Sequence, residues 1–187
     1  MQASPSTVSA QSARARGFTL VELMAVVAIV GILATIASYR YRKYVYASKT
    51  AEVSTWFAAI KGAQETYKSE TFTYLNVSAN LATASFYPTN SKPGTNKANF
   101  HGAGPGEAGW ETLGVTGGAP VYFVYACVAG NNSVPTTPTD ITVSNWPGSL
   151  GRPWFVLEAK AFLQDPTVPT VFVSTSFANE MYAANLP

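Results

Sequence analysis

One run of residues limits this chain more than any other. Phe18 to Ala37 reads FTLVELMAVVAIVGILATIA, twenty residues with a single charge, Glu22. As a helix rising 1.5 Å per residue, it spans about 30 Å, the thickness of a bilayer's hydrocarbon core. Arg14 and Arg16 precede the run; Arg40, Arg42 and Lys43 follow it. Tyr39, Tyr41, Tyr44 and Tyr46 fall just beyond, where aromatic rings favour a membrane interface. A secretory signal peptide also has a basic start and an apolar core. Twenty residues is long for such a core, however, and no convincing A-x-A site follows. A plain single-span anchor accounts for the length but not for Glu22, because a carboxylate in hydrocarbon is costly and needs a partner. Two basic residues before the run and three after it leave its orientation open.

The whole chain has 187 residues, about one domain's worth. Only 12% are charged, about half the usual share, and the deficit lies mainly in the apolar run. A net charge of +2 leaves no basic surplus for a nucleic-acid backbone. The single cysteine, Cys127, excludes an intrachain disulfide, and the single histidine, His101, leaves no room for a His-based metal cluster. No nucleophile–base constellation is visible. Glu107 and Glu111 read as a solvated acidic pair in a loop. The expectation is a non-enzyme with no catalytic residue, metal or cofactor.

The residues at the start of the apolar run are specific. Arg16-Gly17-Phe18-Thr19-Leu20-Val21-Glu22-Leu23 resembles the prepilin processing site of type IV pilins and type II secretion pseudopilins. The similarity continues through AVVAIVGILATIA and, more loosely, from Tyr44 to Lys68. The resemblance implies that a prepilin peptidase cuts between Gly17 and Phe18 and methylates the Phe18 amine. It implies a cleaved leader (1–17), a transmembrane and filament-core helix (18–47) and a globular head (48–187). The implied fold is α+β and type IV pilin-like: a long N-terminal helix, transmembrane in its first half, packed on an antiparallel sheet of about four strands. An amine at a helix N-terminus is a cation beside four unsatisfied N–H groups. In staggered helices, Glu22 of one subunit would meet the Phe18 amine of the next, a buried pair satisfied only in the right register. Loss of the leader removes two arginines and leaves ten basic and ten acidic side chains.

The implied function is a structural subunit of a type IV pilus, serving adhesion or twitching motility. Alternatives are a type II secretion pseudopilin, or a minor pilin that binds a surface or DNA, with Trp110 and Trp146 as exposed readers. The implied partners are further copies of the chain, other pilins, the peptidase, an inner-membrane assembly platform and, before assembly, the membrane itself. Nucleic acid stays open as a partner without residues that support it. The implied location is the inner membrane, single-pass, and then an extracellular pilus.

The head divides into an amphipathic helix half (48–68), a loop region (69–118) and a sheet (119–187). Val53, Trp56, Phe57, Ile60, Ala63 and Tyr67 form one helical stripe, with Lys49, Glu52, Thr55, Lys61 and Glu65 on other faces. No proline interrupts the chain between Ser6 and Pro88, so one helix from about Phe18 to Lys68 is allowed. Strands are predicted at 120–128, 141–146, 154–163 and 170–177, and the first buries Cys127 as an inert thiol. Residues 164–180 are loosely similar to myxobacterial-type pilin-like proteins, but with one carboxylate, Asp165, the 164–169 turn supplies no calcium site. Short glycosylation-like patterns at Asn76, Asn131 and Pro135 to Thr139 carry little weight.

Overall fold

A computed structural model describes residues 17–186 apart from Ser91, Ala103 and Pro105. Most of the expected leader, with Arg14 and Arg16, lies outside the described residues. The chain divides into two compact units, Met1–Tyr41 and Arg42–Pro187.

Helix α1 covers Leu20–Thr71, 52 residues. From Leu20 to Ala37 it is apolar on every side apart from Glu22 and Thr35. Every residue from 17 to 44 is exposed, Leu20 at 80% and Met24 at 71%. A helix apolar on all sides is at home only in lipid or among other helices. It is also the one described helix long and apolar enough to cross a membrane. Within it, Thr35 donates its hydroxyl proton to the Gly31 carbonyl at 2.9 Å. The hydroxyl is thus satisfied inside the helix, as an apolar surrounding requires.

In the second unit the same helix becomes one-sided. Val53, Phe57, Ile60 and Gln64 are its buried residues, spaced four, three and four apart. Burying each of the three apolar ones is worth about 1.5–3 kcal/mol. The helix ends at Thr71, three residues beyond the predicted Lys68. There Phe72 turns into the left-handed region (φ 61°) while its N–H still reaches the Lys68 carbonyl at 2.8 Å.

The sheet has four antiparallel strands in the order β1 (Val124–Gly130), β2 (Trp154–Ala161), β3 (Thr170–Thr175) and β4 (Tyr182–Ala184). Cys127 lies opposite Leu157, which lies opposite Ser174. Alternation then sorts the side chains. Tyr125, Cys127, Phe155, Leu157 and Phe172 face the helix stripe. Val124, Val128, Val156, Val171 and Val173 face the other way, beneath Leu81, Phe86, Ile141, Trp146 and Leu150. The sheet is therefore covered on both sides.

The structure corrects several sequence-based expectations. Residues 141–146 form no strand: Asn145 sits at φ 61°, which ends an extended run, and Ile141 and Trp146 serve as a cover over the sheet. Strand β1 starts at Val124 rather than 120. Glu52 explains the difference, because its carboxylate takes the N–H groups of Tyr122 (3.0 Å) and Phe123 (3.1 Å) that a partner strand would otherwise accept. Glu52 thus does not lie on a merely solvated face. Strand β4 was not expected, since three residues are too few to show a period. The loop region contains a helix, α2 (Glu107–Thr112), and contributes Tyr87, Phe100 and Trp110 to the core. Phe100 meets Tyr87 and Trp110 edge-on at 5.0 and 5.5 Å.

Candidate assembly site

The three residues singled out by the sequence, Gly17, Phe18 and Glu22, come together at the start of α1. Thr19, immediately before the first helical residue, adopts the capping position. Its backbone N–H and its hydroxyl donate to Glu22 Oε2 at 2.9 and 2.8 Å, and the Glu22 N–H donates to Thr19 Oγ1 at 3.2 Å. This is a reciprocal capping box, in which two orphan donors of the first turn are satisfied by side chains four residues apart inclusive. Sequence reasoning assigned Glu22 to a partner subunit and passed over Thr19. The T-x-x-E spacing before an apolar run was the signal that could have found it.

Phe18 is 87% exposed and makes no burial of its own. Gly17 is exposed as well, and a Cβ placed there would meet nothing within 4 Å. The fold therefore does not require glycine at 17, and the chain there is open to another molecule. Glu22 is exposed on a helix whose remaining residues to Ala37 carry no charge. In this arrangement a carboxylate, a helix N-terminus and an accessible backbone lie within one turn.

A second cluster of chemically capable side chains lies in the head. His101 Nδ1 stands 2.9 Å from Glu107 Oε1 and 3.8 Å from Glu111 Oε1. The two glutamates sit four apart on α2, not in a loop as expected, and the three donor atoms lie within 4.8 Å of one another. These are donor types that a divalent cation accepts. All three side chains are at least partly open to water, and Glu107 is already bonded to the Gly102 N–H at 2.5 Å. The proposed readers of the binding-module alternative are not free. Trp110 is 1% exposed in the aromatic core, and Trp146 donates its indole N–H to the Pro135 carbonyl at 3.0 Å while resting edge-on against Phe177.

Cys127 is fully buried, with Gln64 Nε2 3.2 Å from its sulfur. Burial pushes the thiol up to about 12, only partly opposed by the Gln64 contact. The amide of Gln64 also donates to the Leu75 carbonyl (2.8 Å) and accepts from the Leu75 N–H (2.9 Å). Gln64 is a buried polar member of the helix stripe that the apolar pattern did not reveal.

Helix α1 thus opens on an exposed apolar stretch with a capped, carboxylate-bearing start and continues into the head that carries the four-stranded sheet. Residues 12–38 match the prokaryotic N-terminal methylation motif. The chain is 49% identical over 63 residues to the type IV major pilin protein PilA of Myxococcus xanthus (strain DK1622), covering 34% of this chain and 29% of that one. It is 54% identical over 48 residues to the type IV major alpha-pilin of Moraxella bovis, covering 26% and 30%. It is 47% identical over 55 residues to the fimbrial protein EcpC of Eikenella corrodens, covering 29% and 36%. The chain thus spans about a third of the length of these curated relatives. No solved structure matches. The similarity to type IV pilins thus lies in the N-terminal part of the chain, and the long apolar helix and four-stranded antiparallel sheet match the α+β fold expected from that resemblance.

Proposed function

We propose that this chain is a structural subunit of a type IV pilus, made as a membrane-anchored precursor and polymerised through its N-terminal helix. Cleavage between Gly17 and Phe18 and methylation of the Phe18 amine by a prepilin peptidase prepare the subunit. An inner-membrane platform then assembles it with further copies and other pilins into an extracellular filament that serves adhesion or motility. The observation that carries this reading is the lone carboxylate of Glu22 at the start of a helical stretch, to Ala37, that is otherwise uncharged and exposed throughout. Before assembly Thr19 satisfies it. In the filament the Phe18 amine of a neighbouring subunit replaces that bond with a charge-assisted one, so that stagger and satisfaction coincide. The relatives are named as major pilins and fimbrial proteins, which favours a pilus over a secretion pseudofilament.

The test is Glu22→Ala in the native host, read by electron microscopy and by mass spectrometry of the N-terminus. The expected outcome is mature, methylated protein in the membrane and few or no filaments. Normal filaments from this variant would refute the pairing. A bulky replacement of Gly17 should leave only precursor-sized protein, and mature protein from that variant would refute the cut site.

A further inference from the structure

Glu158 lies in the middle of the sheet, on β2, between Ala126 of β1 and Val173 of β3. Its side chain is on the face turned away from α1 and is 0% exposed. Neither carboxylate oxygen has a hydrogen-bond partner among the described residues. Buried polar groups are nearly always bonded, and an unpaired buried carboxylate is among the most expensive exceptions. Two residues along the same face, Lys160 is 4% exposed; its amine pairs with Asp140 and lies 4.4 Å from the Phe86 ring centre.

The charged and titratable groups around Glu158 are few. Its own strand supplies Lys160, and the covering segment supplies Asp140. Strands β1 and β3 turn only valine, alanine and threonine toward this face, and β4 adds Tyr182. Asp140 and Lys160 cancel each other. An ionised Glu158 would leave a net negative charge among valines with no donor to hold it, whereas the protonated acid leaves none. Burial, partly opposed by Lys160 and reinforced by Asp140, pushes this carboxyl up to about 7.

The neighbours of Glu158 differ in how firmly they are held. Within the sheet, β2 is locked on both sides by antiparallel ladders. Segment 131–152, above that face, contains no strand or helix. It is held by the Asp140–Lys160 pair, by the Trp154 indole N–H of β2 donating to the Ser133 carbonyl at 3.1 Å, by Trp146 against Phe177 at 5.4 Å and by the apolar contacts of Ile141 and Leu150. Leu81 and Phe86 also cover this face, but their stretch is tied to β1 by the paired backbone hydrogen bonds of Tyr87 and Tyr125 at 2.8 and 2.6 Å. Lifting segment 131–152 is therefore the less disruptive way to bring water to Glu158.

We propose that Glu158 is a pH-operated latch for segment 131–152. Protonated, it lets the segment lie closed on the sheet; ionised, it drives the segment off and opens that face of the head to solvent and partners. Closure holds the carboxyl pKa above its open-state value. The preference for closure is therefore complete in acid, declines as pH rises past the ordinary carboxylate range toward 7, and is constant above that. With the open-state group at 4.5 and the closed one at about 7, the opening constant rises roughly thirtyfold between pH 5.5 and 8.5.

Hydrogen exchange on the full chain in detergent micelles, corrected for the intrinsic rate, tests this at pH 5.5 and 8.5. The expected result is a loss of protection of tens of fold at the higher pH in the N–H groups bonded to the segment, the Trp154 indole and the Leu150 amide that donate to Ser133, none in residues 53–64, and no pH effect in Glu158→Gln. Equal pH dependence in wild type and Glu158→Gln would overturn the latch, as would loss of protection in residues 53–64 in step with the segment. Should Glu158→Gln fail to fold, titration of the wild-type Glu158 carboxyl by carbon-detected NMR decides. A midpoint near 7 that coincides with the exchange transition supports the proposal, and one below 5 overturns it.

Discussion

Thr19 and Glu22 bind each other at the start of α1, the threonine N–H and hydroxyl to the carboxylate and the Glu22 N–H back to the hydroxyl, all between 2.8 and 3.2 Å. The residue on which assembly is proposed to depend is thus engaged in its own chain first. Thr19→Ala removes the reciprocal half of this cap. Amides of the first helical turn should then exchange roughly fivefold faster in micelles, the size of a typical cap loss. Unchanged exchange there would show that the capping box does not hold the helix start.

Gln64 is bonded through its side-chain amide to both backbone groups of Leu75. Gln64→Leu keeps the volume and strands the partly buried N–H and C=O of Leu75. The expected cost is about 2–4 kcal/mol, read as a lower denaturant midpoint with an unchanged slope. A loss below about 0.5 kcal/mol would mean that the Leu75 groups find other partners.

Cys127 is buried and its thiol is pushed up to about 12. At pH 8 almost none of it is thiolate, so alkylation of the folded protein should run more than a hundredfold slower than in denaturant. Rates of iodoacetamide labelling, followed by mass spectrometry, check this. Fast labelling of the native chain would contradict the burial.

Gly117 lies against the indole of Trp56, and a Cβ there would collide with the ring. That ring packs on Phe100 (4.3 Å) and Tyr125 (5.5 Å), joining α1 to the loop region and the sheet. Gly117→Ala should therefore cost about 1–3 kcal/mol by overpacking and shift the tryptophan fluorescence. A variant as stable as wild type, with the same spectrum, would show that Trp56 can yield freely.

The long helix was legible because its signals are local: a twenty-residue apolar run, then a 3.6-residue stripe, with no proline between. Strands β2 and β3 were legible for the same reason, as short apolar runs bounded by turns. Segment 141–146 has equally strand-like composition, but its backbone turns at Asn145 and its side chains cover the sheet. Trp110 sits in a glycine-rich stretch that looks like surface, yet Phe100 and Tyr87 make it core.

The sequence by itself determined the apolar run, its lone carboxylate and the match to the N-terminal methylation motif, because each depends on residue type and spacing along one stretch of chain. Only the tertiary structure decided which polar groups are buried and with whom. Glu52 captures the entry to β1, Gln64 closes on Leu75, and Glu158 is sealed in the sheet without a partner among the described residues. The partners and coverings of these groups lie 11 to 73 residues away or, for Glu158, across neighbouring strands. No local pattern records such distances, and whether a charge is solvated, bonded or stranded depends on what the rest of the chain lays over it.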